Sequence, residues 1–391
     1  MSDDELLSRG VDQIIGRTEL EDAFKSGRKL RIKFGVDPTR PDIHIGHAVL
    51  LRQLRELQRR GHTVIFLIGD YTTKIGDPSG RSKTRPMLTD DEIAANAKTY
   101  LDQVGQILDV KNVEIRRNSE WLSKLSFADL LSLASNLSVA QIIEREDFKN
   151  RLATGQELSL HEFLYPLMQA YDSVVLEADV EFGGTDQLFN LVTGRNLQKK
   201  LGQRPQIVFC TELLVGTDGV KKMSKSLDNY IAITDEPLDM YGKVMSIPDN
   251  LIAPYYKLCT EIELVVIDEL VKTLAAGANP RDAKASLARE IVRIYHGPAS
   301  SEKAEADWNN QFRDGGRPET IETITVDPTA DFLDILVTTG MASSKSDARR
   351  LIDQGGVKLD DHVVEFSNEA VITDGQILQV GKRRYLKLHV T

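Results

Sequence analysis

Thr63 to Ile68 (Thr-Val-Ile-Phe-Leu-Ile) is a continuous apolar run. A strand of that kind is buried on both faces, the condition of an inner strand in a parallel sheet. The preceding residues fit the same plan. Residues 30–36 (Leu-Arg-Ile-Lys-Phe-Gly-Val) alternate and predict a strand. Asp37-Pro38-Thr39-Arg40-Pro41-Asp42 carries turn chemistry. From Ala48 to Arg60 the spacing is helical, with Leu50, Leu54 and Leu57 on one face and Arg52, Arg55 and Arg59 on the other. Strand, helix, strand is a βαβ unit. The same order returns at Val180 to Phe182, Asp186 to Leu201 and Gln206 to Cys210. The expected class is therefore α/β, with a doubly wound parallel sheet that binds ligands at the carboxyl ends of its strands.

Residues from about 90 to 165 read as helices, Glu92 to Leu108 and Phe127 to Leu133 most clearly, and predict a helical insertion in a sheet domain spanning 1–230. Residues 231–315 read as an α-helical domain, 316–330 as a polar linker with Gly and Pro, and 331–391 as a small third domain. The net charge of -10 argues against a whole-surface nucleic-acid binder, but not against a local basic groove. Cys210 and Cys259 lie in no Cys-x-x-Cys pair, which argues against a zinc ribbon or a disulfide scaffold, and Cys210 is expected as a buried thiol. The acidic start lacks a signal-peptide core and no run is long enough to cross a bilayer, so a cytoplasmic setting is expected. Neither a P-loop nor a Gly-x-Gly-x-x-Gly follows the first strand, which weighs against P-loop nucleotidases and dinucleotide dehydrogenases.

Two short motifs remain to be placed. His44-Ile45-Gly46-His47 falls where a loop becomes a helix, so both imidazoles share the first turn, beside free N–H groups that favour an anion. Gly46 leaves room for a nucleotide base or ribose. Alternatively, these are surface histidines at a helix start. Lys222-Met223-Ser224-Lys225-Ser226 lies in a loop with no strand or helix period. Its two ammonium groups suit a pyrophosphate over which a loop closes, or they form an ordinary solvated basic loop. Gly76-Asp77-Pro78-Ser79-Gly80, followed by Arg81, Lys83 and Arg85, is either a phosphate-holding rim or a plain turn. On a helix, Tyr165, Gln169 and Asp172 share one face with three polar tips, a stripe that either reads a ligand or faces water. Pro166 belongs in that helix's first turn.

In this order, with Asp37-Pro38-Thr39 and Gly183-Gly184-Thr185-Asp186-Gln187, the motifs resemble class I aminoacyl-tRNA synthetases and, among them, the bacterial tyrosyl-tRNA synthetase family. The resemblance runs from about residue 30 to 230 and resumes at the C-terminus. It implies a ligase that activates tyrosine with ATP and transfers it to tRNA. Asp172 would accept the phenolic proton, and Asp77, Tyr165 and Gln169 would hold the ammonium group. Gln187 would lie at the reacting carboxyl group. Asp37, Thr39, Gly46, Gly184 and Asp186 would bind ATP, the last two at its ribose. His44, His47, Lys222 and Lys225, with Arg81 and Arg85, would stabilise the transferring phosphate. Magnesium would come with ATP, since no protein ligand set for it is visible. The family's homodimer, with a tRNA spanning both subunits, is implied as well. One departure stands out. Many members carry a tyrosine, as a second contact to the substrate hydroxyl, where this chain has Lys33. A charged lysine cannot accept a hydrogen bond, so Asp172 is left to read the phenol with a lysine or water nearby. A buried carboxylate left unpaired by phenylalanine would penalise that substrate, so no editing domain is expected.

Residues 331–391 resemble a small RNA-binding fold known from a ribosomal small-subunit protein. Arg349, Arg350, Lys358 and Arg383 would meet RNA phosphates. Three other readings stay open at this point: a tryptophanyl synthetase, a non-catalytic RNA-binding paralogue and a small-molecule nucleotidyltransferase.

Overall fold

The computed structural model describes residues 2–39, 43–79, 88–312, 321–327, 330–365, 372–381 and 384–390. The chain divides into two compact units, Met1–Gly297 and Pro298–Thr391.

The first unit is built on a six-stranded sheet. Its strands are β1 (Val11–Ile15), β2 (Arg31–Val36), β3 (Thr63–Ile68), β4 (Glu114–Arg117), β5 (Val180–Gly184) and β6 (Ile207–Thr211), in the order β1-β6-β5-β2-β3-β4. All neighbours are parallel except β1, which runs antiparallel to β6. Five of the six residues of β3 are buried, as its unbroken apolar sequence requires. The helix Ile45–Arg59 connects β2 to β3, Asp90–Val104 lies between β3 and β4, and Leu188–Lys200 connects β5 to β6. The chain therefore winds outward from β2 in one direction and from β5 in the other. The crevice between β2 and β5 is the switch point where such sheets hold ligands.

Two strands of this sheet depart from the expectations, as does the strand Thr323–Val326 of the second unit, inside the stretch read as a linker. β4 lies inside the stretch expected to be helical, and β1 precedes every predicted element. Both are edge strands. β4 reads Glu-Ile-Arg-Arg, and three charges in four residues hide a strand from an apolar pattern while protecting a sheet edge from pairing elsewhere. Beyond β4 the helices Phe127–Ala134, Val139–Ile143 and Glu146–Ala153 lead to the helix Tyr165–Val175, with Pro166 in its first turn. After β6 the chain is helical: Pro237–Met245, Ile252–Cys259, Leu264–Ala275 and Pro280–Phe312, the last broken at Gly297 (φ 82°). Cys210 and Cys259 are both buried free thiols.

The second unit carries the helices Phe332–Thr338 and Lys345–Asp353, capped by Asp331 and Ser344. Its strands are β7 (Thr323–Val326), β8 (Val357–Leu359), β9 (His362–Val363), β10 (Ile377–Val380) and β11 (Arg384–Val390), in the order β7-β11-β10-β8-β9. Leu336, Ala348, Val357, Leu378 and Leu388 are wholly buried in its core. Among the described residues, no helix is long and apolar enough to cross a membrane.

Candidate functional site

A cleft of about 640 Å³ opens at the carboxyl ends of β2 and β5. Every described residue proposed from the sequence for the sheet domain lines it: Asp37, Thr39, His44, Gly46, His47, Asp77, Tyr165, Gln169, Asp172, Gly184, Asp186, Gln187, Lys222 and Lys225. Arg81 and Arg85 lie outside the described residues, as does Arg383 of the second unit.

At one end the helix Tyr165–Val175 brings its three polar residues to the wall. Asp172 is buried and accepts hydrogen bonds from Trp121 Nε1 (2.8 Å) and Asn118 Nδ2 (3.3 Å). Burial raises its pKa to about 7, against the pull of nearby Lys33 and the two donors. Trp121 and Asn118 were missed by sequence reasoning. Asn118 directly follows β4 and accepts from Tyr71 N, so its amide nitrogen is turned towards Asp172. Recognising β4 would have pointed to it, because ligand-side residues sit just past strand ends.

Lys33 makes no hydrogen bond to Asp172. Its Nζ donates to Gln169 O, Ser173 Oγ and Glu181 Oε1, each at 2.9 Å. All three ammonium protons are thus spent. Lys33 acts on Asp172 only through its charge, and the side chains that bond Asp172 are Trp121 and Asn118.

The middle of the cleft is crossed by carboxylates. Asp37 accepts from Thr72 Oγ1 (2.8 Å) and from the Tyr165 hydroxyl (3.0 Å). Asp77 accepts from Gln187 Nε2 (2.8 Å), Gln187 Oε1 from Asn190 Nδ2 (2.9 Å), and Asn190 Oδ1 from Arg145 (2.7 Å). This relay begins at a group that only donates and ends at one that only accepts, so both amides have one allowed orientation.

At the other end His44 caps the helix Ile45–Arg59 in extended conformation and His47 sits one turn on, the rings stacked 3.8 Å apart. A Cβ on Gly46 would lie 2.9 Å from His44 Nδ1, so glycine is what lets this ring fold back; the space beside Gly46 holds an imidazole. Burial, and then the charge of Lys222, depress His47 to about 4, and burial with His47 and Lys222 depresses His44 to about 2. Both are neutral at neutral pH. His47 Nδ1 accepts from His44 N (3.3 Å), which leaves its proton on Nε2 as a donor. Ile45 N and Ile233 N pair with Ile231 O and Ile43 O, tying this turn to the chain leaving the lysine loop.

That loop is pinned. Met223 is buried and donates to Leu214 O, while Asn229 bonds Ser224 N, Asp218 and Lys222 O. Lys222 pairs with Asp186 (2.6 Å), and Lys225 Nζ lies 5.9 Å from the centre of the Tyr230 ring. The lysines among the described lining residues are Lys33, paired with Glu181, and the two of the loop, Lys222 and Lys225.

In the second unit Arg349 and Arg350 are exposed on the helix Lys345–Asp353, Arg350 paired with Asp347, and Lys358 is half-buried on β8.

The family model for "tRNA synthetases class I (W and Y)" matches residues 25–313, and the chain belongs to that family. An S4 domain model matches residues 333–370. Tyrosine–tRNA ligase of Thermotoga maritima is 49% identical over 98% of this chain and 96% of its own, and that of Moorella thermoacetica 46% over 98% and 95%. A C-terminally truncated mitochondrial tyrosyl-tRNA synthetase from Coccidioides posadasii superposes with a TM-score of 0.62 at 26% identity, covering 78% of this chain and 90% of that one. The activity is that of a tyrosine–tRNA ligase, an ATP-dependent enzyme that activates tyrosine and passes it to tRNA.

Proposed function

We propose that the cleft is divided at the Asp37–Tyr165 hydrogen bond into a tyrosine half and a nucleotide half. The observation that carries this is the placing of Asp172, the two histidines and the two loop lysines along one cleft. In the tyrosine half, Asp172 accepts the phenolic proton and Asp77, Tyr165 and Gln169 hold the ammonium. Gln187, fixed by its relay, faces the carboxyl group. Asp37, Thr39, Gly46, Gly184 and Asp186 bind ATP. Tyrosine's carboxylate oxygen attacks the α-phosphorus, the bond to the bridging oxygen breaks, and pyrophosphate leaves. No base is required, since an α-carboxyl with a pKa of about 3.5 is already ionised. His47 donates a neutral hydrogen bond and the lysines bring charge to the departing phosphates, with Arg81 and Arg85 assigned to the outer ones. A terminal ribose hydroxyl of tRNA then attacks the tyrosyl carbonyl and AMP leaves. Magnesium would enter with ATP, as part of the nucleotide substrate. The setting is the cytoplasm.

ATP–pyrophosphate exchange, run amino acid by amino acid, tests the tyrosine half. Tyrosine should support exchange and tryptophan should not; the reverse result overturns the assignment.

Arg349, Arg350, Lys358 and Arg383 of the S4 unit are proposed to contact tRNA phosphates. Removing residues 331–391 should leave tyrosine-dependent exchange within about twofold and lower tRNA charging at least about tenfold, the order expected when several phosphate contacts vanish together. Undiminished charging by the shortened chain refutes that role.

The enzyme is proposed to act as a homodimer through the apolar surface beyond β4. Phe127 is 76% exposed, Leu131, one turn on, 57%, and Leu160 80%. The helix Phe127–Ala134 buries none of its residues. Replacing Phe127 and Leu131 together by glutamate should halve the mass seen by sedimentation; an unchanged dimer places the interface elsewhere.

A further inference from the structure

Lys33 and Glu181 are register partners on β2 and β5. They are 0% and 1% exposed, and their side chains pair at 2.9 Å beneath the cleft. A buried ion pair is a poor source of stability, because desolvating both charges offsets much of their attraction. This one has another consequence. Glu181 Oε1 also accepts from Gln169 Nε2 (3.2 Å), and its Oε2 accepts from Ser173 Oγ (3.0 Å) and Gln206 Nε2. A Cβ on Gly194 would lie 2.7 Å from Gln206 Nε2 and 3.3 Å from Glu181 Oε2, so the facing helix leaves this network its space.

A carboxylate only accepts hydrogen bonds. The Gln169 atom facing Glu181 must therefore be the amide nitrogen. Its oxygen is turned away from Glu181, and Oε1 is buried with no partner among the described residues. Gln169 lines the cleft, and this oxygen is its polar atom that no described residue satisfies. Lys33 meanwhile grips the same helix at Gln169 O and Ser173 Oγ, one turn apart and on either side of Asp172 in sequence.

We propose that the Lys33–Glu181 pair is the positioning element for amino-acid recognition, setting the polarity of the Gln169 amide so that its oxygen receives the substrate's ammonium group. This rests on the reading that Gln169 binds that group. Neither paired residue touches the substrate; both act through Gln169 and the seat of its helix.

The test compares tyrosine with 3-(4-hydroxyphenyl)propionate, which keeps the phenol and carboxylate but lacks the ammonium. Glu181→Gln permits either amide orientation at 169 and should weaken tyrosine binding about tenfold or more. Inhibition by the des-amino analogue, and the KM for ATP, should stay within about twofold. The double variant Lys33→Met with Glu181→Met leaves no unpaired charge if the single variant folds poorly, and should show the same selective loss. Equal weakening of both compounds, or of neither, overturns the proposal. Gln169→Met, measured in parallel, separates the two claims. If it also fails to distinguish the compounds, the reading of Gln169 falls and the proposal with it. If it distinguishes them and Glu181→Gln does not, the pair's positioning role alone is wrong.

Discussion

Asp172→Asn will lower tyrosine-dependent ATP–pyrophosphate exchange by about 100- to 1000-fold, from the loss of one charge-assisted hydrogen bond and the mismatch left behind, together roughly 3–4 kcal/mol. Three donors converge on this side chain: Trp121 Nε1, Asn118 Nδ2 and, in the proposed complex, the phenol. A carboxylate offers two accepting oxygens to them. An amide offers one, and its NH2 must face a donor. The same change should erase most of the preference for tyrosine over phenylalanine, since phenylalanine no longer strands an anion. Retained preference in Asp172→Asn would place phenol recognition elsewhere.

Asp172 also makes a pH dependence. Its pKa is raised by burial, from an ordinary 3.8 to about 7. The folded chain therefore binds its proton more tightly than the unfolded chain does. The stability this confers is complete below about pH 4 and is lost as pH rises to about 7, at most roughly 1.4 kcal/mol for each pH unit. Asp172→Asn should remove that slope from denaturant midpoints measured between pH 4 and 8. In catalysis the sign reverses: the KM for tyrosine should rise as pH falls below 7, because the proton held by Asp172 competes with the phenol's.

Lys225→Ala will slow adenylate formation by about 100- to 1000-fold, the usual effect of removing one preorganised stabilising group, while tyrosine affinity changes less than about twofold. His44 and His47 are held neutral, and Lys33 is neutralised by Glu181. The loop lysines Lys222 and Lys225 also line the cleft and are proposed to carry the charge that meets the phosphates. Lys222 rests on Asp186, and Lys225 lies near the Tyr230 ring. Charge that grows on the leaving pyrophosphate is felt at the transition state, not on tyrosine binding. Single-turnover rates with ATP and tyrosine would show it; equal losses in rate and affinity would contradict it.

Legibility in the sequence followed chemistry. β3 was plain because a strand buried on both faces needs apolar residues throughout. The histidine and lysine motifs were plain because phosphate chemistry fixes residue types at short spacing. β4 was hidden by the charges an exposed edge requires, and with it went Asn118 and Trp121. The fate of Lys33 was unreadable for a different reason. Its partner lies 148 residues away and is chosen by strand register, which no local pattern encodes.

The strand order has a consequence for how such an enzyme changes its diet. The wall behind Asp172, where the phenol is proposed to bind, grows from the outermost strand, β4, two places from the β2–β5 crevice proposed to serve the nucleotide. Remodelling Trp121 and Asn118 alters the far end of the amino-acid pocket without touching the histidines or the lysine loop. Libraries meant to admit tyrosines enlarged at the para position belong there, where the appetite of the enzyme can drift while its engine stays fixed.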